Sequence, residues 1–295
     1  MPPLSGVVRK TLSYVPGSYI VGCAVSSYII YSCDEDMKCL RKHDFVDKCR
    51  HDCLIKRVFK GMRNNEISLF HAIPKDVGES IREYFLFWNR IHESVYRKHV
   101  LPHLALNRIT GCVYTEFEDD DRMGYLYGDE VFTNFKNDFH GYIIVSDNYT
   151  KDIAELFSYV SIGRIGHRGK YCFPEINIRP INLDLDLKKG SIFVAPCGLA
   201  FEKLDLKFKI IRANISVLDT NNIRVNSIRK KNCSTIYDFL GIKSGRIIFT
   251  EPLTMVAANG RHDIWELALF GISGNPLSAL GWNKLVPVNY MSDLV

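Results

Sequence analysis

Gly163-Arg164-Ile165-Gly166-His167-Arg168-Gly169-Lys170 spaces its glycines three residues apart and fills the gaps with two arginines, a histidine and a lysine. A helix-like run, Asp152 to Val160, leads into it, and a strand-like run, Tyr171 to Ile178, leaves it. Glycine lets a backbone approach a ligand closely and adopt positive φ without a Cβ penalty. Cations between glycines suit an anionic partner, and exposed backbone N–H groups can cradle phosphate. The stretch therefore reads as a phosphate-backbone clamp, set against the plainer reading of a helix-to-strand turn with solvated charges.

Composition is compatible with the clamp without requiring it. The chain has 295 residues, 46% hydrophobic and 24% charged, which is ordinary for a globular protein with ample chain for a core. A net charge of +5 is mildly basic. No run of 18 apolar residues occurs, so no membrane span is expected. Met1-Pro-Pro-Leu-Ser-Gly6 lacks an apolar signal core, so a cytoplasmic location is expected, with the nine cysteines free or metal-bound rather than paired.

Working back to the start, Tyr14-Val-Pro-Gly-Ser18 places a turn at Pro16 and Gly17 and puts Ser18 in position to N-cap a helix. The run Tyr19 to Ser32 follows, apolar with Gly22, Ala24, Ser26 and Ser27, and reads as a buried helix. Residues 33 to 63 differ in kind. Cys33, Cys39, Cys49 and Cys53 stand with His43 and His51 among many lysines and arginines. Four thiolates close a tetrahedral zinc site, and His43 or His51 can stand in for one of them. The Cys49–Cys53 spacing suits zinc; the Cys33–Cys39 spacing is looser. The competing reading is four unrelated thiols on a charged insertion.

Ile67 to Ala72 reads as a strand, and Glu79 to Lys98 as a long helix with Ile81, Phe85, Trp88, Ile91 and Val95 on its core stripe. His92, His99 and His103 are spaced too poorly around Pro102 for a metal site. Strands are expected over Asn107 to Glu116, Tyr125 to Phe132 and Asp138 to Val145. The acidic run Glu118 to Asp121 is read as a hairpin tip in preference to a magnesium site. A short helix, Thr150 to Val160, turns Ile153, Leu156, Phe157 and Val160 inward.

Beyond Leu183, strands are expected at Ser191–Ala195, Leu204–Ala213, Ile215–Leu218, Ile223–Val225 and Arg246–Thr250, with helices at Ser234–Leu240 and Ile264–Phe270. The last of these runs into Gly271-Ile-Ser-Gly274 and then Gly281-Trp-Asn-Lys-Leu-Val286, a second helix, glycine-rich turn and strand. Irregular mixing of strands and helices indicates an α+β class.

Taken in order, these pieces resemble the CRISPR-associated RAMP superfamily, the RNA-binding subunits of type III effector complexes. Tyr14 to Gly22 is similar to the Tyr-Ile-Pro-Gly-Ser start of that family's first helix. Gly124-Tyr-Leu-Tyr-Gly-Asp-Glu-Val-Phe132 and Phe139-His-Gly-Tyr-Ile143 resemble its central strands, and Gly163 to Lys170 its glycine-rich loop. The likeness runs from about Val7 to Ile178.

It implies a ferredoxin-like domain, similar to an RNA-recognition motif, over residues 1–183 with the Cys-rich insertion at 33–63. A β-rich half, itself a candidate ferredoxin-like unit, would follow over 184–295. It implies CRISPR guide RNA and other effector subunits as partners, in an antiviral ribonucleoprotein. RNA contact falls to Gly163, Arg164, Gly166, His167, Arg168, Gly169, Lys170 and Ser18. Zinc-binding insertions also occur in the family, which supports the Cys33, Cys39, Cys49 and Cys53 set. Cutting subunits use an aspartate ahead of the first helix, but no acidic residue precedes Asp34 here. A non-catalytic capping or handle-binding subunit is therefore expected. The alternative is a metal-independent CRISPR-RNA-processing endoribonuclease, with His167 as its acid–base residue.

Overall fold

A computed structural model describes residues 8–9, 14–32, 53–74, 80–89, 98–104, 115–118, 121–124, 126–132, 139–160, 163–165, 170–172, 187, 190–202, 208–212, 215–219, 240–242, 246–258 and 262–292. Mixed helices and small, mostly antiparallel sheets make it an α+β protein.

The segment 67–74 is the spine of the N-terminal part. Ile67–Leu69 pairs antiparallel with Ile143–Val145, and Ile73–Pro74 with Phe139–His140. On its other side Val15 forms an antiparallel bridge to Ala72. Side chains alternate across a strand, and here both faces are covered. Ile67 and Leu69 enter one core with helices α1 (Gly17–Ser32), α2 (Leu54–Arg63) and α4 (Thr150–Ser158). Phe70 enters a second core with helix α3 (Ile81–Asn89). That explains the near-continuous apolar run of this strand.

The core stripe expected on α3 is seen: Ile81, Phe85 and Trp88 are buried. The described helix spans Ile81–Asn89, and the expectation that it reaches Lys98 is corrected there, because Lys98–Leu104 is a strand paired along its length with Leu126–Phe132. Ile91 and Val95 fall outside the described residues. Helix α2 was not expected. It forms the last part of the cysteine-rich segment, yet it buries Leu54, Ile55, Val58, Phe59 and Met62. Alternation of these with Lys56, Arg57, Lys60 and Arg63 is an amphipathic pattern. Glu118 and Asp121, which bound the acidic run, pair at the end of the antiparallel strands Thr115–Glu118 and Asp121–Gly124, as a hairpin tip requires; Asp119 and Asp120 lie outside the described residues.

The C-terminal part holds a four-stranded antiparallel sheet in the order 208–212, 254–258, 192–195, 286–287, and a three-stranded one in the order 200–201, 246–250, 215–219. Helices α5 (Ile264–Leu269) and α6 (Val288–Ser292) complete it. The two halves share their cores. Ala200, Ile247, Leu277 and Leu280 pack with α1, α2 and α4, while Val194, Leu269, Val286 and Tyr290 pack with α3.

Candidate nucleic-acid interface

The start of α1 is built residue by residue from Tyr14-Val-Pro-Gly-Ser18. Tyr14 is buried, stacked on His71 with ring centroids 5.0 Å apart and edge-on to Trp88 at 4.8 Å. Val15 exchanges both backbone hydrogen bonds with Ala72. The Pro16 carbonyl accepts from the N–H groups of Tyr19 at 2.9 Å and Ile20 at 3.3 Å. Pro16 is therefore the capping position, and the expectation that Ser18 caps the helix is corrected: Ser18 lies within the helix. Gly17 donates its N–H to Nδ1 of His71 at 3.0 Å. A Cβ on Gly17 would strike the Leu280 carbonyl, so only glycine fits where the chain runs under residues 280–282.

His71 is wholly buried. Burial, followed by the nearby charge of Lys284, pushes its imidazole down to about 3. It is neutral at physiological pH. Because Nδ1 accepts, Nε2 carries the proton. Trp282 meets the ring edge-on at 4.7 Å. Gly281, at φ 102°, leaves no space for a side chain between itself and the imidazole.

Lys284 is also wholly buried. Its amine donates to Ser68 Oγ and, at 2.7 Å, to the Leu269 carbonyl, and it sits 5.0 Å from the centre of the Phe70 ring. Burial lowers it to about 7, partly offset by Cys197. Tyr84 Oη and Cys197 Sγ, 3.2 Å apart, lie in the same core. Sequence reasoning missed His71 and Lys284. For His71 the available signal was a polar residue inside an apolar run, Phe70-His-Ala72; for Lys284, beside the polar Asn283, local sequence offered none.

The second glycine-rich stretch is buried at Gly271 and from Leu277 to Gly281, while Ser273 and Gly274 at its tip are exposed. Asn283 pairs its side-chain amide with both backbone groups of Ala200, accepting at 2.8 Å and donating at 2.9 Å, and holds the turn against the neighbouring strand.

The first glycine stretch is different. Gly163–Ile165 and Lys170–Cys172 form an antiparallel pair, with Gly163 opposite Cys172, Arg164 opposite Tyr171 and Ile165 opposite Lys170. Arg164 and Lys170 are thus strand residues. Gly166, His167, Arg168 and Gly169, between the strands, lie outside the described residues. The first of these strands runs alongside α1. Helix α4 delivers the chain to it. Ile153, Leu156, Phe157 and Val160 are buried as expected, and Arg57 of α2 grips Asp152 with two hydrogen bonds of 3.0 and 3.1 Å.

Of the expected zinc ligands, Cys53 is described. It precedes α2, half-buried against the core. Cys33, Cys39, Cys49, His43 and His51 lie outside the described residues. Among the described residues no cluster of three or more histidine, cysteine or acidic side chains is placed to hold a metal. No described helix is long and apolar enough to cross a membrane.

No family model matches the chain, and no curated protein matches it in sequence. Among solved structures, a chain of the type III-B Cmr-beta bound to cognate target RNA and AMPPnP is similar at 12% identity and a TM-score of 0.40, over 85% of this chain and 79% of that one. A likeness this loose says nothing of activity.

Proposed function

We propose that this protein is a non-catalytic RNA-binding subunit of a type III CRISPR effector complex, in a capping or handle-binding position. In this reading the hairpin built from Gly163, Arg164, Gly166, His167, Arg168, Gly169 and Lys170 holds guide-RNA phosphates beside the start of α1 at Ser18. One observation supports it: the strand Gly163–Ile165 lies alongside α1, the helix that the Tyr14–Gly22 stretch begins. No acidic residue occurs between Glu155 and Glu175, which keeps the stretch cationic throughout. The antiparallel spine with α1 and α4 packed together on one of its faces suits a ferredoxin-like unit, α3 covering the other face, and zinc at Cys33, Cys39, Cys49 and Cys53 belongs to the same proposal.

Purifying the native complex and sequencing any RNA it protects tests the reading. Repeat-derived guide RNA is expected. Nuclease-resistant association with other subunits without RNA protection by this chain would overturn it. Incubation with repeat RNA in EDTA decides against the processing-enzyme alternative if no discrete, His167-dependent cuts appear.

A further inference from the structure

We infer that Tyr28, Tyr31 and Tyr159 form a shelf on which bases of a single-stranded RNA stack; the inference rests on the RNA-binding reading above and names the surface that would read the bases. Tyr28 and Tyr31 lie one helical turn apart on α1 and share a face. Tyr31 is 59% exposed, the most exposed of the large hydrophobic side chains among the described residues. Tyr28 meets the Tyr159 ring edge-on, with centroids 5.1 Å apart and planes at 89°. Ser32 donates to the Tyr159 hydroxyl at 3.4 Å. Burial raises the Tyr28 hydroxyl above its ordinary range.

The shelf is held rigidly and in the right place. Tyr159 directly follows α4, which the Arg57–Asp152 fork ties to α2. Gly163 comes four positions after Tyr159, a span of at most about 14 Å. The glycine hairpin therefore begins next to these rings, and its first strand runs along the same helix.

The occupant follows from combining the two features. Exposed rings alone suit an apolar protein surface, and cations alone suit any polyanion. A hairpin whose sequence is cationic, its first strand running along the helix that carries the exposed Tyr31, suits a partner with a charged backbone and unstacked bases, which is single-stranded nucleic acid. A duplex hides its base faces and cannot use the shelf.

The test measures binding of the full chain to a single-stranded RNA oligonucleotide and to the same oligonucleotide with abasic sites. Tyr31→Ala is expected to weaken RNA binding roughly ten-fold, the loss of about one stacked base, without changing the salt dependence. Tyr31→Phe should bind normally. Wild type should bind the abasic strand as weakly as Tyr31→Ala binds the intact one, and Tyr31→Ala should lose nothing further on it. Because Tyr31 is exposed, the variant retains its fold, and circular dichroism checks this. Undiminished RNA binding by Tyr31→Ala, or an equal loss on the abasic strand, overturns the shelf. If Tyr31→Ala is silent while the hairpin variant Arg164→Ala/Arg168→Ala/Lys170→Ala loses affinity, the shelf fails and the clamp stands. If wild type binds no RNA at low salt, the clamp itself fails.

Discussion

Gly17 donates its backbone N–H to His71 Nδ1 at 3.0 Å, so a side chain from a distant strand, not the adjacent serine, satisfies the start of the first helix. A helix N-terminus has four unpaired N–H groups, and one that is buried must find acceptors within the protein. His71 is also stacked on Tyr14 and lies under Gly281, so it ties the first helix, the spine strand and the C-terminal glycine turn into one joint.

Removing that joint is costly. His71→Ala leaves a buried donor unsatisfied and opens a cavity beneath Tyr14 and Trp282. A loss of about 2–5 kcal/mol is expected in urea unfolding. Ser18→Ala, by contrast, should change stability by less than about 0.5 kcal/mol, because Ser18 does not cap the helix.

Gly17→Ala and Gly281→Ala test the close approach directly. Each places a methyl group against an atom that cannot move freely, the Leu280 carbonyl in one case and the His71 ring in the other. Each should cost about 1–3 kcal/mol, as overpacking does. Gly274→Ala meets no neighbour, and only its φ of 76° opposes it. It should be milder, about 1 kcal/mol.

The buried base pair, His71 and Lys284, sets the pH profile. His71 drops from an ordinary 6.5 to about 3, so the folded state prefers it neutral. Its contribution is full above pH 6.5 and is lost as the pH falls towards 3. Lys284 drops from 10.5 to about 7. Between those values the unfolded chain binds a proton that the folded one rejects, so stability rises with pH across that window and is flat in this term below it. Thermal melts from pH 7 to 10 should show this gain. Lys284→Met, which keeps the stem and removes the amine, should flatten the profile; a slope unchanged in that variant would contradict the assignment.

Zinc makes a further separable prediction. If Cys33, Cys39, Cys49 and Cys53 hold it, the purified protein carries one zinc per chain by elemental analysis. Cys39→Ser should reduce that content sharply, because a structural tetrahedral site tolerates few missing thiolates. A metal-free wild-type protein, purified without chelator, would contradict it.

Much of the scaffold was legible from local pattern. The first helix, the spine strand, α4 with its four inward residues and the Arg246–Thr250 strand all carry strong periodicity or clear turn residues. What was hidden depends on tertiary context. Helix α2 sits behind a run of cysteines and cations that reads as an insertion, and its apolar face is short. Lys98–Leu104 contains Pro102 and follows a helical pattern without a stop signal, yet it is a strand because Leu126–Phe132 supplies its partner. Lys284 and His71 look like ordinary polar residues; only the fold shows that both are buried. The candidate interface divides the same way. Its glycines and cations were visible as a motif, whereas its pairing as a hairpin beside α1 and the tyrosine shelf were not.

If the glycine hairpin neutralises RNA phosphates, its cations must set part of the salt dependence of binding. Arg164→Ala/Arg168→Ala/Lys170→Ala should weaken single-stranded RNA binding and make the slope of log affinity against log salt shallower by about 2, since each lost phosphate contact on a single strand removes about 0.7. Wild-type affinity and an unchanged slope in that triple variant would contradict the account.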